Sequence, residues 1–383
     1  AGFAPFILIS LVSGVLVDRW NRKIVIIVAD GLQALITFFL MLLFYYEIAN
    51  LVYVLIVLAI RSVAQGFHSP ASQAIIPLMV PKEKLTRVNS FENMFNSSVY
   101  LIGPVIGALL VESLGIENIA IILWVDIITF LIAIIPVLLI FIPDITREKR
   151  RQPKKSFKSE FKEGIVFIKN QEGLLSLLVT FTVVNIMSTP VFVLLPLLIV
   201  DSSLIGGNAT TLAIIFAITQ GASLIGAYIM TRGQIFANNA KGVAFGQLLI
   251  YISIFLVIIS LITSDVNILY ISAIFGGIAS PLANIPSQTI WQSVVPPDLQ
   301  GRVMSVRAVI AWTMIPVSQL AGGIISDIIG PINLFSITLI IGIVFLIYAW
   351  FLTGFPRVEE TLGIGDNIIP ETQPEASTDL HVN

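Results

Sequence analysis

The sequence contains no cysteine and has little charge. Only 11% of its 383 residues are Asp, Glu, Lys or Arg, against about 25% in soluble domains. The absence of cysteine excludes disulfides, thiolate metal sites and a thiol nucleophile. The low charge, with 56% hydrophobic residues and a mean hydropathy of +0.96, excludes a soluble enzyme, a nucleic-acid-binding protein and a disordered chain. Most of this chain is therefore expected to lie in a lipid bilayer.

Eleven mostly uncharged stretches are long enough to cross a bilayer, which requires about 20 residues per helix. None has the alternating pattern of a membrane β-strand, and helices are the other structure that satisfies the backbone in lipid. The sequence therefore predicts an all-α integral membrane protein. The predicted spans are 1–17, 24–46, 51–75, 93–111, 119–142, 174–200, 209–230, 243–263, 268–290, 308–326 and 332–353.

The basic residues fall on one side of these spans. Twenty of the 21 Lys and Arg lie in alternate connections or in the C-terminal tail, and the exception, Arg61, lies inside a span. Basic residues are retained in the cytoplasm. The basic loops and the C-terminus are therefore predicted to be cytoplasmic in a multi-pass protein of the cell membrane, with residue 1 outside and no signal peptide before it.

An internal repeat relates two parts of the chain. A shift of 215 residues aligns ten identical residues between 72–115 and 287–330, where about three would be expected from typical composition. The shift covers six spans, so the two halves are predicted to be parallel repeats. The counterpart of the span 174–200 would lie before residue 1, which predicts an architecture of twelve helices that lacks its first helix here.

These patterns predict four regions. They are an N-terminal transmembrane half at 1–143 (helices 2–6 of twelve), a basic cytoplasmic linker with an amphipathic membrane-surface helix at 144–172, a C-terminal transmembrane half at 173–354 (helices 7–12), and an acidic disordered tail at 355–383.

The first basic connection carries a recognisable motif. It reads Gly14-Val-Leu-Val-Asp18-Arg19-Trp-Asn21-Arg22-Lys23. This resembles the signature between helices 2 and 3 of the major facilitator superfamily, Gly-x-Leu-x-Asp-Arg-x-Gly-Arg-Arg/Lys. With two parallel six-helix halves and a basic central loop, the resemblance implies the fold of that superfamily and a transport function.

The same resemblance implies a gate at the cytoplasmic end. Gly14 would permit close helix approach, while Asp18 and the basic residues would make contacts that break and re-form as the halves rock. Asp30, inside the next helix, is expected to join this network through Arg22. Asn21 replaces the family's glycine, and Asn is the residue that best tolerates a left-handed turn after glycine.

The span 51–75 holds the one cation predicted to lie in the membrane interior. Arg61 shares a helix face with Gln65 and His68 at i+4 and i+7. An arginine at this depth marks a functional site by default, although it could also tie helices together. The segment from Arg61 to Phe67-His68 resembles the macrolide-efflux branch, related to enterobactin exporters. That resemblance places Arg61, Gln65 and His68 in the substrate or proton pathway, with a packing role for His68 as the alternative.

Asp126 lies in the span 119–142 at a depth that would allow it to pair with Arg61. It could carry a coupling proton or serve as a structural partner. The span 93–111 contains Gly103-Pro104-Val-Ile-Gly107, which resembles the Gly-Pro-x-x-Gly-Gly motif of exporters. The motif favours export, although its small residues could also serve close helix packing alone.

The sequence thus predicts a monomeric, proton-coupled exporter of amphipathic small molecules, such as macrolide-like drugs or siderophore-like compounds, working by alternating access. No cofactor or metal is expected. A lysolipid or lipid flippase of the same superfamily is the alternative within transport. An intramembrane enzyme is the alternative outside transport, and two histidines without any cysteine count against it.

Overall fold

The computed structural model describes residues 5–6, 9, 12–13, 16–17, 19–115, 118–143, 157–171, 173–200, 207–232, 235–236 and 238–359. This part of the chain forms eleven α-helices and two short 3-10 helices, and none of it is β-strand. The α-helices are α1 (Arg22–Tyr45), α2 (Leu51–Met79), α3 (Leu85–Leu114), α4 (Ile119–Leu139), α5 (Phe157–Asn170), α6 (Leu174–Val200), α7 (Ala209–Met230), α8 (Asn239–Thr263), α9 (Val266–Val294), α10 (Gln300–Ile329) and α11 (Pro331–Leu352).

Ten of these helices, all except α5, are long and apolar enough to cross a membrane. They match the second to eleventh predicted spans, so the all-α membrane fold is confirmed. The first predicted span, 1–17, lies partly outside the described residues, and those of its residues that are described are helical.

The 215-residue repeat is visible in the helix boundaries. α2 and α9 each have 29 residues, and α3 and α10 each have 30, with both pairs offset by the repeat shift. Both α3 and α10 end at a glycine, Gly115 and Gly330, with φ of +83°. This left-handed conformation disfavours a side chain, and glycine adopts it freely. The two halves therefore repeat in backbone conformation as well as in sequence.

Two helices start earlier than their apolar runs predict. α3 begins at Leu85, although the predicted span began at 93, and α10 begins at Gln300, although the predicted span began at 308. In α3 the additional turns carry Thr86 and Asn89, which are buried. The hydropathy-based prediction placed Thr86 and Asn89 in the loop between the spans 51–75 and 93–111, because their side chains are polar.

The linker helix α5 packs on protein. Its Ile168 is buried in a cluster with residues of α6, α8 and α10, and Phe161 and Ile165 pack against the same cluster. Arg302, near the start of α10, forms an ion pair with Glu163 of α5 at 2.5 Å. The prediction that the apolar face of this helix lies on the membrane surface is therefore wrong, because that face covers the end of the C-terminal half.

The segment after α11 also packs on that half, with Phe355 and Val358 buried. The prediction that the disordered tail starts at residue 355 is therefore wrong, and residues 360–383 of that predicted tail lie outside the described residues. The carboxylate of Glu359 is buried and accepts hydrogen bonds from the backbone N–H and the side-chain amide of Asn239, both at 2.6 Å. Asn239 is the first residue of α8, so the acid satisfies amide groups at a helix N-terminus. Burial raises the pKa of Glu359 above its ordinary value, more than these hydrogen bonds lower it.

A pH-dependent stability follows from Glu359. Because its folded pKa is raised, the folded state binds the proton more tightly, and stability falls as pH rises from the ordinary Glu pKa through the folded pKa. We expect Glu359→Gln to remove this part of the pH dependence. Thermal unfolding of both proteins in detergent, at pH 4 and pH 7.5, would measure it, and equal pH dependence in the two proteins would contradict it.

Candidate functional site

Three side chains meet between helices α1, α2 and α4. Arg61 of α2 forms an ion pair with Asp126 of α4, with 2.7 Å between Nη1 and Oδ2. Thr37 of α1 lies within hydrogen-bond distance of the same carboxylate oxygen, at 2.9 Å, and also accepts a hydrogen bond from Arg61. The structure therefore pairs Arg61 with Asp126, as their depths in the predicted spans allowed, and it adds Thr37.

A second titratable pair lies about two turns nearer the start of α1. Asp30 approaches His68 of α2, with 3.4 Å between Oδ1 and Nε2, and Gln33 lies 3.5 Å from the same oxygen. Asp30 was expected to join a network with Arg22, and this expectation is wrong: along α1, Asp30 lies more than two turns from Arg22 and pairs with the histidine.

A cavity of 280 Å³ joins the two pairs. Its polar lining includes Asp30, Gln33, Arg61, Asp126 and Thr129. The volume would hold several water molecules at about 30 Å³ each. Gln65, which the sequence placed in the same pathway, is exposed and does not line this cavity.

The C-terminal half has no equivalent of this cluster. The shift of 215 residues places an apolar residue or a glycine at each corresponding position. These are Phe245 for Asp30, Leu248 for Gln33, Ile252 for Thr37, Gly276 for Arg61, Ala283 for His68 and Ile341 for Asp126. In that half the corresponding helices, α8, α9 and α11, contribute to an apolar core. Because the same fold forms there without charges, the cluster is not a requirement of the fold.

The motif before α1 lies at the end of the bundle where α1 and α3 begin and α2 ends, here called the basic end. Gly14 and Asp18 fall outside the described residues, and Arg19 is helical and partly buried. Lys23 donates hydrogen bonds to two carbonyls at the end of α4, at 2.8 and 2.9 Å. Asn21 has an extended backbone and caps α1 by accepting from Ile24 N–H, so the prediction of a left-handed turn is wrong.

Arg22 links the two halves at the basic end. Its guanidinium donates to the carbonyl of Ala74 in α2 and to the carbonyl of Pro297, between α9 and α10, both at 2.8 Å. Arg22 is only 4% exposed. The motif therefore contributes at least one contact between halves, as a charged donor to backbone oxygens.

Neutral side chains form further contacts between halves, and the sequence analysis missed them. Asn89 of α3 donates to Gln292 of α9 at 2.8 Å and to Thr289 at 3.3 Å, and Thr86 lies 3.3 Å from the same threonine oxygen. Tyr100, three turns further along the same side of α3, is 63% exposed. The second half thus covers this side of α3 at the basic end, whereas Tyr100 further along is exposed.

The exporter-like motif lies in the middle of α3, with Pro104 inside the helix. A Cβ added to Gly103 or Gly107 would meet no atom within 4 Å in the described part of the chain. At Gly322, the repeat counterpart of Gly107, an added Cβ would lie 2.8 Å from Pro190 of α6. Close packing is therefore observed at the second-half glycine and not at Gly103 or Gly107.

Comparison with known proteins decides the family. The model of the Major Facilitator Superfamily matches residues 1–315. The chain belongs to this superfamily. Among solved structures, this superfamily member resembles the fucose:proton symporter FucP of E. coli, with a TM-score of 0.69, 18% identity, and coverage of 91% of this chain and 89% of the other. A bacterial homologue of the iron transporter ferroportin in an outward-facing state has a TM-score of 0.64 at 14% identity, covering 93% and 88%.

Sequence relatives of this superfamily member include efflux pumps. Macrolide efflux protein A of Streptococcus pyogenes is 29% identical over 335 residues, which cover 86% of this chain and 80% of that protein. The multidrug efflux pump Tap of Mycolicibacterium fortuitum is 25% identical over 348 residues, covering 86% and 80%. The protein is thus a multi-pass membrane transporter of the Major Facilitator Superfamily with efflux pumps among its relatives, and the transport prediction is confirmed.

Proposed function

We propose that this protein exports amphipathic small molecules across the cell membrane, driven by the proton gradient, and that it works as a monomer by alternating access. Its basic end and C-terminus face the cytoplasm in this proposal, because basic connections are retained there. The observation that carries the proposal is the cluster of Arg61, Asp126 and Asp30 around a cavity between membrane-spanning helices, with His68 paired to Asp30.

The cluster supports a gradient-driven mechanism because charged side chains within membrane spans are rare and usually functional. A structural tie between α1, α2 and α4 needs no charge, since the other half assembles the same helices with apolar residues. Carboxylates beside a cavity large enough for several water molecules can exchange protons with that water. The pair Arg61–Asp126 is proposed as the proton-binding site, with Asp30 and His68 as further titratable groups in the pathway.

Export rather than uptake is favoured by the relatives and by the Gly103-Pro104-Gly107 pattern. Macrolide efflux protein A and Tap are efflux pumps by name, and an amphipathic drug of the macrolide type is accordingly the proposed substrate. The contacts of Arg22 and Asn89 with the second half support alternating access, because they close one end of the bundle with hydrogen bonds that can separate.

Efflux of a macrolide from cells that produce the protein tests this function. We expect accumulation of a radiolabelled macrolide to be lower than in cells without the protein, and an uncoupler of the proton gradient to abolish the difference. Cells producing the Asp126→Asn variant at equal membrane abundance are the control. Unchanged efflux under the uncoupler would contradict coupling to the proton gradient. Transport of lysolipid without transport of the macrolide would instead identify a flippase.

A further inference from the structure

The hydroxyl of Thr37 has two acceptors for its single proton. Its oxygen lies 2.9 Å from Asp126 Oδ2 and 2.9 Å from the backbone carbonyl oxygen of Gln33, and Arg61 donates to it. Thr37 is fully buried. A hydroxyl donates one hydrogen bond at a time, so Thr37 can serve either acceptor by rotation of its O–H bond, with every heavy atom in place.

The protonation state of Asp126 determines which acceptor is favoured. An ionised carboxylate is the stronger acceptor, because hydrogen bonds to charged groups are stronger than those between neutral groups. The Thr37 proton then points to Asp126. When the carboxylate binds a proton from water in the cavity, it becomes a donor, and the Thr37 proton turns to the carbonyl of Gln33. The hydroxyl can then accept from both Arg61 and the protonated acid.

We infer that Thr37 is a positioning residue that controls proton binding by Asp126. This inference rests on the proposed function for its role in transport. The hydroxyl at this helical position is specific to the N-terminal half, since the repeat counterpart of Thr37 is Ile252. A β-branched residue therefore fits the fold there without a hydroxyl, so packing does not account for the oxygen.

Two charged side chains contact this hydroxyl, Arg61 of α2 and Asp126 of α4. The other titratable pair, Asp30 of α1 and His68 of α2, lies about two turns nearer the start of α1. Arg61 stabilises the carboxylate with its charge, and Thr37 adds a hydrogen bond to the ionised form. Removal of that bond makes the carboxylate easier to protonate, and a change of one pH unit corresponds to a tenfold change in proton affinity.

The variants Thr37→Val and Thr37→Ser separate the hydroxyl from the shape of the side chain. Valine keeps the branched shape without the oxygen, and serine keeps the oxygen. In protein reconstituted in liposomes, infrared titration of the protonated carboxyl band, assigned with Asp126→Asn, reports proton binding directly. We expect its midpoint to rise by about one pH unit in Thr37→Val and to stay near the wild-type value in Thr37→Ser.

The pH profile of macrolide efflux should shift in the same direction in Thr37→Val. A carboxyl band that Thr37→Val still shifts in an Asp126→Asn background would belong to another acid and would contradict the inference. An unshifted carboxyl midpoint in Thr37→Val, or equal shifts in the valine and serine variants, would overturn the inference. Insensitivity of wild-type efflux to an uncoupler, with a shifted midpoint in Thr37→Val, would instead overturn the proton drive and retain the hydroxyl's effect on Asp126.

Discussion

Replacement of Arg61 by alanine is expected to reduce transport to less than about a tenth of the wild-type rate and to destabilise the N-terminal half. The change leaves the Asp126 carboxylate without its ion-pair partner, 2.7 Å away in the structure. The pair is only partly exposed, 33% at Arg61 and 45% at Asp126, and an unpaired charge within a membrane span costs about 2.5–3.5 kcal/mol. Efflux and thermal unfolding of Arg61→Ala, compared with Arg61→Lys, would measure the two effects.

A double replacement distinguishes function from stability. In the variant Arg61→Met with Asp126→Leu, no charge remains unpaired, and the second half shows that apolar residues suit these helices. We expect the double variant to regain thermal stability over Arg61→Ala but to remain inactive in proton-driven efflux. Wild-type efflux with normal uncoupler sensitivity in the double variant would show that the ion pair is only a structural tie.

A disulfide across the basic end is expected to block transport almost completely. The hydroxyl oxygens of Thr86 and Thr289 lie 3.3 Å apart on α3 and α9. Cysteines at these positions can therefore come within bonding distance by modest side-chain adjustment. Alternating access requires this end to open, and a covalent bond would prevent it. Because the chain has no native cysteine, oxidation of Thr86→Cys with Thr289→Cys would form no competing bond.

A matched pair in the middle of the bundle serves as the control. Ser97 of α3 and Ser223 of α7 also join the two halves, with 3.0 Å between their hydroxyl oxygens. Halves that rock about a midplane site move least there, so oxidised Ser97→Cys with Ser223→Cys should retain most activity. Reduction should restore efflux in the Thr86–Thr289 pair. Full efflux by that pair in its oxidised form would show that the basic end stays closed throughout transport.

The membrane fold could be predicted from the sequence because it depends on apolar length and on the placement of basic residues. The repeat was equally accessible, since identities such as Gly115 and Gly330 mark helix ends that need a left-handed residue. The early turns of α3 could not be predicted in the same way. The Thr86 hydroxyl and the Asn89 side-chain N–H groups form hydrogen bonds with the other half, and hydropathy does not indicate a hydrogen-bond partner that is 200 residues away in the chain.

The candidate site was predictable in its charged residues and not in its pairing. Arg61 and Asp126 stood out as charges in apolar spans, but their contact depends on how α2 and α4 are arranged. Asp30 was assigned to Arg22 because the two are close in sequence, whereas the structure pairs it with His68 across two helices. Thr37 gave no signal, since a threonine in a membrane helix is common and its role depends on its neighbours.

The confinement of the charged cluster to one half also determines how the membrane voltage acts on the protein. The pair of Arg61 and Asp126 sums to zero charge, whereas the same pair with a proton on the carboxylate carries one positive charge. A charge that crosses the whole field changes in energy by about 2.3 kcal/mol per 100 mV. In the counterpart positions of the second half, Gly276 and Ile341 carry no charge. In the proposed mechanism, the electrical work at these paired positions therefore falls on the N-terminal half, when the Asp126 carboxylate carries the proton.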